Sequence, residues 1–407
     1  MTELQSVAAA ARRLRADGQS FLVATVVGVR GSSYRRPGAR LLIAGDRWIT
    51  GSVSGGCLEG DLLRRGWWHT GGAPAAVVTY DSTADDGDPG WGVGFGCNGV
   101  VDVLLERGEL ADGSGNPAVE ALLRAAARGD TCAAVTVFRS TLSVLPVGTR
   151  VVVDRDGQMS SLAPVFRAGA AGARLLRALI GAGRQALARE PLRSSAETVT
   201  LGGNAVEALV ETIVPPPALF VCGGGRDALP VVTLARLLGW DTWVWEPRHR
   251  EAIAARFGAP AAPLARLLRR GVDELEAAVA AAPRPLAVVM SHDFTLDAQA
   301  LRVLLPSRAL NIGVLGPRRR TEKLLTTLVQ EGMVLPSEPW GRLSAPVGLA
   351  LGAETPEEIA LAIVAEGQAI LAGESAGFLR NRTGPVHVPT WSAEGAPAEA
   401  AKLEAAE

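Results

Sequence analysis

Cysteine is scarce in this chain, and the spacing of the cysteines excludes two common structural uses. The four cysteines lie far apart among 407 residues and form no C-x-x-C pair, which predicts free thiols rather than a disulfide framework or a zinc ribbon. They are Cys57, Cys97, Cys132 and Cys222. Cys132 and Cys222 fall in strand-like runs and are predicted to pack in hydrophobic cores, so Cys57 and Cys97 are the candidates for chemistry.

An excess of one charge and long apolar runs are also missing. The chain has 41 lysines and arginines against 42 aspartates and glutamates, so its net charge of -1 gives no field that attracts nucleic acid or an anionic membrane. No apolar run reaches the roughly 18 residues of a membrane-spanning helix, and the first residues lack the pattern of a secretory signal. We therefore expect a cytoplasmic protein without a nucleic-acid partner and without stable membrane insertion.

The composition that is present favours a large α/β protein. With 48% hydrophobic and 20% charged residues, the chain can bury more than one core. We predict an N-terminal β-rich α+β domain, a C-terminal Rossmann-like domain with a parallel sheet, and a flexible tail rich in Ala, Gly, Pro and Glu. Their predicted bounds are 1–214, 215–372 and 373–407, with the proline run at 215–217 as the linker.

An internal similarity indicates that the N-terminal domain contains two related β-units, at about 1–110 and 111–214. The segments Val23–Val26 and Pro37–Ile43 resemble Ala134–Val137 and Pro146–Val153, which lie about 110 residues later. The glycine- and cysteine-rich motifs belong only to the first unit, so a duplication would leave the second unit as scaffold. Chance similarity between valine-rich strands is the alternative.

A glycine-rich turn follows the first strand of the C-terminal half. Gly223-Gly224-Gly225-Arg226-Asp227-Ala228 is a G-x-G-x-x-A pattern, in which Gly223 permits a tight turn and Gly225 lets the backbone approach a pyrophosphate. Glu246 ends the second strand, where an acid can bind ribose hydroxyls. The pattern predicts a nucleotide-type site, with a Rossmann fold kept only as scaffold as the alternative. The charge of Asp227, close to a bound pyrophosphate, counts against binding.

Two further segments are predicted to follow strands of the same sheet. Ser291-His292-Asp293 brings a histidine that titrates near neutral pH, and Gly316-Pro317-Arg318-Arg319-Arg320 places arginines at a helix start, against the helix dipole. Ligands bind at the carboxyl ends of such strands, so His292, Asp293, Arg318 and Arg319 are candidate ligand contacts, the arginines for a phosphate. A backbone-capping histidine and solvated arginines are the alternatives.

Two glycine-rich loops in the N-terminal domain each carry a cysteine. Gly51–Gly60 runs into a helix and contains Cys57, whereas Gly92–Gly99 contains Cys97. The backbone N–H groups and hydroxyls of such a loop form an anion-binding nest, although a small buried side chain is the alternative for Cys57. The candidate ligand-binding residues of this domain are Arg35, Gly38, Ser52, Ser54, Gly55, Gly56, Cys57, Glu59, Gly96 and Cys97.

Taken together, these motifs resemble the XdhC/CoxI family, the accessory factors of xanthine dehydrogenase and related molybdenum hydroxylases. The resemblance covers most of residues 20–370. Besides the Rossmann turn, its carriers are Gly31-Ser32 with Arg35, Pro37–Arg40, Gly51–Gly60, Trp91–Cys97, Met290–Asp293, Gly313–Gly316 with Arg318-Arg319, Pro346–Leu349 and Gly352–Ala360. Tyr34 departs from the pattern, which usually has proline there, and so do Asn98, Gly224, Arg226 and Asp227.

The resemblance implies a maturation factor rather than an enzyme with its own turnover. Such proteins bind the molybdenum cofactor, as molybdopterin or its dinucleotide form, and assist its sulfuration by a cysteine desulfurase. They then insert it into the hydroxylase apoenzyme. Cys57 and Cys97 are on this view contacts of the molybdenum centre, since a soft thiolate suits such a metal. A homodimer is implied by the family as well.

Three other functions stay open from the residues themselves. An NAD(P)-dependent oxidoreductase would use the Rossmann turn with Glu246 and His292. A metal or sulfur chaperone for a CO dehydrogenase-like enzyme would bind a thiophilic metal through Cys57 and Cys97 without a pterin. A purely structural partner protein would need none of these residues.

Overall fold

In a computed structural model, the described part of the chain comprises residues 3–31, 33–82, 99–143, 145–163, 170–189, 195–201, 206–258, 263–335, 341–381 and 383. These residues form two compact units, Glu3–Val214 and Pro215–Phe378. Over the ranges given, each helix is too short or too polar to cross a membrane. Most of the tail predicted at 373–407 lies outside the described residues.

The first unit repeats one order of elements twice: a helix, three strands, a second helix and two strands. The first copy consists of α1 (Glu3–Ala16), β1 (Leu22–Gly31), β2 (Arg40–Ala44), β3 (Arg47–Gly51), α2 (Glu59–His69), β4 (Ala75–Asp81) and β5 (Gly99–Arg107). The second copy consists of α3 (Pro117–Arg128), β6 (Cys132–Ser140), β7 (Arg150–Asp154), β8 (Met159–Ala163), α4 (Ala170–Leu187), β9 (Ser195–Leu201) and β10 (Val206–Ile213). The strand orders, β3-β2-β1-β5-β4 and β8-β7-β6-β10-β9, are equivalent. The similarity seen in the sequence therefore accompanies a repeated antiparallel fold.

The repeat extends to the irregularities of the two sheets. A β-bulge at Val27 interrupts the pairing of β1 with β5, and a bulge at Phe138 interrupts the pairing of β6 with β10. Both bulged side chains are buried in one small core together with Leu104 and Leu209. Because these pairs occupy corresponding places in the two copies, the copies pack against each other through matching surfaces.

Two buried ion pairs connect the copies in a reciprocal manner. Arg40 on β2 of the first copy donates to both carboxylate oxygens of Glu211 on β10 of the second, at 2.7 and 2.6 Å. Arg150 on β7 of the second copy donates to Glu106 on β5 of the first, at 2.9 Å. Each arginine pairs in register with a threonine of the neighbouring strand, Arg40 with Thr25 and Arg150 with Thr136. Each copy thus supplies the countercharge that the other copy buries.

The second unit is a parallel sheet with helices between its strands, as the sequence predicted. Its elements are β11 (Ala218–Cys222), α5 (Ala228–Leu237), β12 (Asp241–Trp245), α6 (Arg250–Phe257), β13 (Arg266–Leu268), α7 (Val272–Ala281), β14 (Pro285–Val289), α8 (Phe294–Leu304), β15 (Asn311–Val314), α9 (Arg318–Gln330), β16 (Leu343–Ser344) and α10 (Pro356–Ala372). The strand order is β13-β12-β11-β14-β15-β16, and all the pairings are parallel. Hydrophobic clusters cover both faces, which is the burial that a parallel sheet requires. The predicted α/β fold class is confirmed.

A capping box begins α10. The Thr355 hydroxyl accepts a hydrogen bond from the Glu358 backbone N–H, and the Glu358 carboxylate accepts one from the Thr355 backbone N–H at 3.0 Å. These bonds satisfy donors that the first turn of a helix otherwise leaves unpaired.

Candidate functional site

The loop before α2 is organised around the side chain of Glu59. The Glu59 carboxylate accepts hydrogen bonds from the backbone N–H groups of Val53, Ser54 and Gly56 at 2.9–3.0 Å. It also accepts hydrogen bonds from the Ser52 hydroxyl at 2.8 Å and from the Ser54 hydroxyl. The sequence predicted that these donors would form a nest for a bound anion. Instead, they hold a carboxylate of the protein itself.

The charge of Glu59 is favoured by this environment. Burial alone would raise the pKa of Glu59, but hydrogen bonds from Ser54 and Ser52 outweigh it and hold the pKa below its ordinary value of 4.5. The group is therefore ionised at neutral pH, and its five hydrogen bonds fix the loop that carries Cys57.

A cavity of about 330 Å³ lies beside this loop. Among its described lining residues, apolar side chains come from Val53, Leu58 and Val101, and aromatic rings come from Tyr34 and Tyr80. Three predicted site residues, Ser54, Gly55 and Cys57, lie on the same wall. Cys57 is exposed, so its thiol is accessible and does not serve as a small buried side chain. The two tyrosines were not predicted as site residues. Tyr34 was noted only as a departure from the family pattern, and Tyr80 lies in a strand that carries no motif.

A polar network holds Tyr80 in the cavity wall. Its phenol donates a hydrogen bond to Asp61 at 2.9 Å, and the His69 ring nitrogen lies 3.4 Å from the same oxygen. Burial, together with the negative charge of Asp61, raises the pKa of Tyr80 well above its ordinary value. Tyr80 therefore stays neutral, and it is one of the residues that line the cavity.

The predicted residues Arg35, Gly38 and Gly56 are not among the described residues that line the cavity. The Arg35 guanidinium donates to the Ser52 carbonyl at 3.2 Å and pairs with Glu3. Gly38 lies in the turn before β2 with a φ of 90°, a backbone conformation that favours glycine. Gly56 also has a positive φ, 117°. Contact of these residues with a ligand stays a prediction.

The second glycine loop, with Gly96 and Cys97, lies outside the described residues. Within the described ranges, no three His, Cys, Asp or Glu side chains come together as a group able to hold a metal ion. Cys57 is therefore the one predicted sulfur donor whose surroundings are described.

The Rossmann turn of the second unit has the expected backbone. Gly223 has a φ of 124°, and a Cβ atom there would lie 2.6 Å from the Met290 carbonyl oxygen, so a side chain does not fit. Glu246 follows β12 and is buried, but its two oxygens accept hydrogen bonds from the Arg248 guanidinium, both at 2.9 Å. Burial opposes the charge, yet these bonds lower the pKa of Glu246 below 4.5. The acceptors predicted for ribose hydroxyls are thus engaged by Arg248.

Asp227 occupies the approach to the glycine turn. A Cβ atom on Gly225 would collide with the Asp227 carboxylate, so this carboxylate lies over the backbone that the pattern offers to a pyrophosphate. His292 holds it there, with 2.7 Å between the His292 Nε2 and the Asp227 Oδ2. A pyrophosphate bound at this turn would lie beside a carboxylate of like charge, which opposes binding.

The remaining predicted residues of this unit lie near the same end of the sheet. Asp293 caps α8 by accepting a hydrogen bond from the Leu296 N–H at 2.9 Å, and it pairs with Arg248 at 3.1 Å. Arg318 pairs with Glu322 at 3.2 Å, whereas the Arg319 side chain is exposed. An anion bound by Arg318 and Arg319 stays a prediction.

Arg320, the third arginine of the predicted cluster, was not among the candidate ligand contacts. It pairs with the buried Asp297, which also accepts a hydrogen bond from the Ser291 backbone. This arginine therefore neutralises a buried acid of α8.

Two family models match the chain. The XdhC and CoxI family model matches residues 14–81, which include the Glu59 loop and most of the described cavity lining. The XdhC Rossmann domain model matches residues 219–366. The second β-copy lies between the two matched segments.

Two individual proteins match most of the chain, and a third matches a part of it. A probable xanthine dehydrogenase subunit of Bacillus subtilis (strain 168) is 26% identical over 356 residues, which are 86% of this chain and 93% of that protein. The uncharacterized protein YqeB of Escherichia coli (strain K12) is 31% identical over 165 residues, 40% of this chain and 29% of that protein. A crystal structure of a xanthine dehydrogenase from Bacillus halodurans is similar with a TM-score of 0.66 and 26% identity, covering 91% of this chain and 97% of that one.

Proposed function

Because this chain belongs to the XdhC family, we propose that it is an accessory protein of a xanthine dehydrogenase-type molybdenum hydroxylase. In this role it binds the molybdenum cofactor of the hydroxylase, assists its sulfuration and inserts it into the apoenzyme. The proposed partners are the apoenzyme, a cysteine desulfurase and a second copy of this chain, in the cytoplasm. The names of the full-length relatives, which both refer to xanthine dehydrogenase, support the choice of enzyme.

The observation that carries the cofactor proposal is the accessible Cys57 thiol on the wall of a 330 Å³ cavity. A sulfur donor suits a soft metal centre, and Val53, Leu58 and Val101 give apolar walls to the ring system beside it. These residues fit a pterin cofactor, and Cys57 would hold its metal end. When bound, the cofactor supplies the molybdenum centre that the hydroxylase later uses.

The second unit fits a nicotinamide nucleotide less well. Its glycine turn is covered by Asp227, and the acid expected to bind a ribose is engaged by Arg248. We therefore propose the N-terminal cavity, rather than the Rossmann turn, as the cofactor site.

A cofactor-loading assay tests this function. The protein, its Cys57→Ser variant and a Cys132→Ala control are mixed with freshly released molybdenum cofactor, gel-filtered and analysed for retained molybdenum and pterin. We expect near-stoichiometric retention by the wild type and the control, because Cys132 is buried in β6, outside the cavity lining. Retention by Cys57→Ser is expected to fall at least about tenfold, a loss of about 1.4 kcal/mol.

Two results would overturn the proposal. Equal retention by Cys57→Ser and the wild type would remove Cys57 from the site. No retention by any of the three proteins, together with saturable NADH binding by the wild type, would favour an oxidoreductase that uses the Rossmann unit.

A further inference from the structure

The chain contains only two tyrosines, and both line the cavity beside the Glu59 loop. Tyr34 comes from the turn between β1 and β2, whereas Tyr80 comes from β4. Two separate elements therefore bring aromatic rings to one cavity of about 330 Å³. Aromatic side chains give a ligand pocket large contact area and prefer flat partners.

The Tyr34 ring lies against the backbone of the loop and is open on its other side. A Cβ atom on Gly55 would lie 3.6–3.8 Å from three ring carbons of Tyr34, which is ordinary van der Waals contact. Nevertheless, Tyr34 is 75% exposed. Gly55 thus packs against one side of the Tyr34 ring, and most of the surface of Tyr34 is available to a ligand.

The Tyr80 ring is positioned differently, as a fixed part of the wall. Tyr80 is only 5% exposed, and its hydroxyl hydrogen is committed to Asp61. The Tyr80 hydroxyl hydrogen is therefore not available as a donor to a ligand in the cavity.

The charges of the described lining indicate which part of a ligand belongs here. Its residues include no lysine, arginine or histidine, and the charged residue among them is Asp81. Phosphate groups bind where cations or several free N–H groups converge, and the donors of the neighbouring loop already hold Glu59. The described cavity is therefore suited to an uncharged ring and not to a phosphate.

We propose that this cavity holds a planar heteroaromatic ring in contact with both tyrosines, and that Tyr34 is its specificity-determining residue. The proposal rests on the cofactor function above, which makes the ring a pterin, and it leaves the phosphate of the ligand outside the described cavity.

A fluorescence titration with unsubstituted pterin tests the proposal directly. Pterin fluoresces, and stacking on tyrosine is expected to quench it. We expect saturable quenching by the wild type, an affinity within about twofold for Tyr34→Phe, and an affinity at least about tenfold weaker for Tyr34→Ala. The matched control is Trp68→Ala, since Trp68 is also 75% exposed but does not line the cavity. Its affinity should equal that of the wild type.

Competition separates a ring site from an anion site. Inorganic pyrophosphate is not expected to displace pterin. Displacement of pterin by pyrophosphate, in a titration with the ionic strength held constant by added salt, would overturn the inference. Equal affinities of Tyr34→Ala and the wild type would overturn it as well.

Failure of this inference is distinguishable from failure of the proposed function. If the wild type and Tyr34→Ala retain molybdenum cofactor equally and pterin alone does not bind, the inference fails and the carrier function stands. If pterin binding depends on Tyr34 but no molybdenum is retained, the ring site stands and the carrier function fails.

Discussion

Glu59 determines the shape of the loop that presents Cys57. Its carboxylate satisfies five donors from Ser52, Val53, Ser54 and Gly56, and it is 1% exposed. Buried donors that lose their acceptor cost free energy, because water cannot replace it. The loop is therefore stable only while this one side chain is ionised and in place.

Replacing Glu59 with glutamine tests this role. The amide brings a donor to a place where donors already converge, so we expect a loss of about 1–3 kcal/mol in the free energy of unfolding at pH 7. The folded-state pKa of Glu59 lies below 4.5, so its contribution is fully present above that pH and is lost as the pH falls through the folded-state pKa. Urea denaturation of the wild type and Glu59→Gln between pH 7 and pH 3 should show a difference in the free energy of unfolding that becomes smaller only at the acid end of this range.

The exposed Glu322→Gln variant is the control for this experiment, because Glu322 forms only a surface pair with Arg318. If Glu59→Gln and the wild type differ in the free energy of unfolding by the same amount at every pH, the role assigned to the ionised carboxylate is contradicted.

The sequence indicated which residues form the Glu59 loop but not where the Glu59 side chain points. The glycine and serine residues predicted a nest of donors, and an acid in the first turn of a helix is a known partner for such donors. Sequence alone does not decide between an internal carboxylate and a bound anion, because both satisfy the same N–H groups. Ser54, Gly55 and Cys57, which were predicted from one segment of the sequence, all line one cavity. The presence of Tyr34 and Tyr80 in the same lining could not be predicted, because it depends on tertiary packing.

At the scale of strands and helices, the reciprocal ion pairs between the two β-copies are the main feature. Arg150 and Glu106 have side chains that are 1% and 0% exposed, and Arg40 and Glu211 are 3% and 5% exposed. A buried charge without its partner is strongly destabilising, while a well-packed apolar pair in its place is often tolerated. Packing between the copies therefore depends on matched charges.

A double-mutant cycle on Arg150 and Glu106 measures that dependence. We expect Arg150→Met and Glu106→Leu each to lower the free energy of unfolding by about 3–5 kcal/mol, because each leaves the other charge buried. The double variant is expected to be less destabilised than the sum of the two single variants, as measured by urea denaturation.

The matched control cycle uses Arg139 and Glu207, which are paired at 2.7 Å between β6 and β10 but are 46% and 27% exposed. Its coupling energy is expected to be about 0–1 kcal/mol. If the losses in the free energy of unfolding of Arg150→Met and Glu106→Leu simply add in the double variant, the two charges do not interact, and the prediction is contradicted.

Long apolar strands were predictable, whereas short edge strands were not. The runs at β11, β12, β14 and β15 occupy the middle of the sheet, where burial on both faces produces a continuous apolar signal. The edge strands β13 and β16 have only three and two residues, too few for any periodicity to be recognised. Their existence follows from pairing with β12 and β15, which only the folded sheet provides.

At the scale of the whole molecule, the two compact units should be separable while the two β-copies should not. The unit Pro215–Phe378 has clusters on both faces of its sheet, and the unit Glu3–Val214 contains both β-copies. We expect fragments 1–214 and 215–378 each to unfold in one cooperative urea transition.

A fragment ending at residue 113, which keeps only the first copy, is expected not to fold. It would leave Arg40 and Glu106 without their countercharges and would expose the apolar surface of Val27 and Leu104 to water. Dispersed amide proton resonances from this fragment would contradict that expectation, and a cooperative 1–214 fragment is the positive control.

The order of the domains was predictable from the chain, because proline content, strand periodicity and the glycine turn change near residue 215. The match between the two β-copies was only suggested by a few valine-rich segments. Equivalence of Val27 with Phe138 and of the two ion pairs could not be read from sequence, because it depends on strand register.

The exchange of arginines also bears on how such a gene can change over time. A duplicated segment is ordinarily free to be lost, since the original copy still does the work. Here each copy buries a charge whose partner lies in the other, so we expect a deletion that removes the second copy to destabilise the first as well. The second copy would then be kept even if it never touches a ligand, and Arg150 and Glu211 would be expected to change only together with their partners, whereas its loops could change singly.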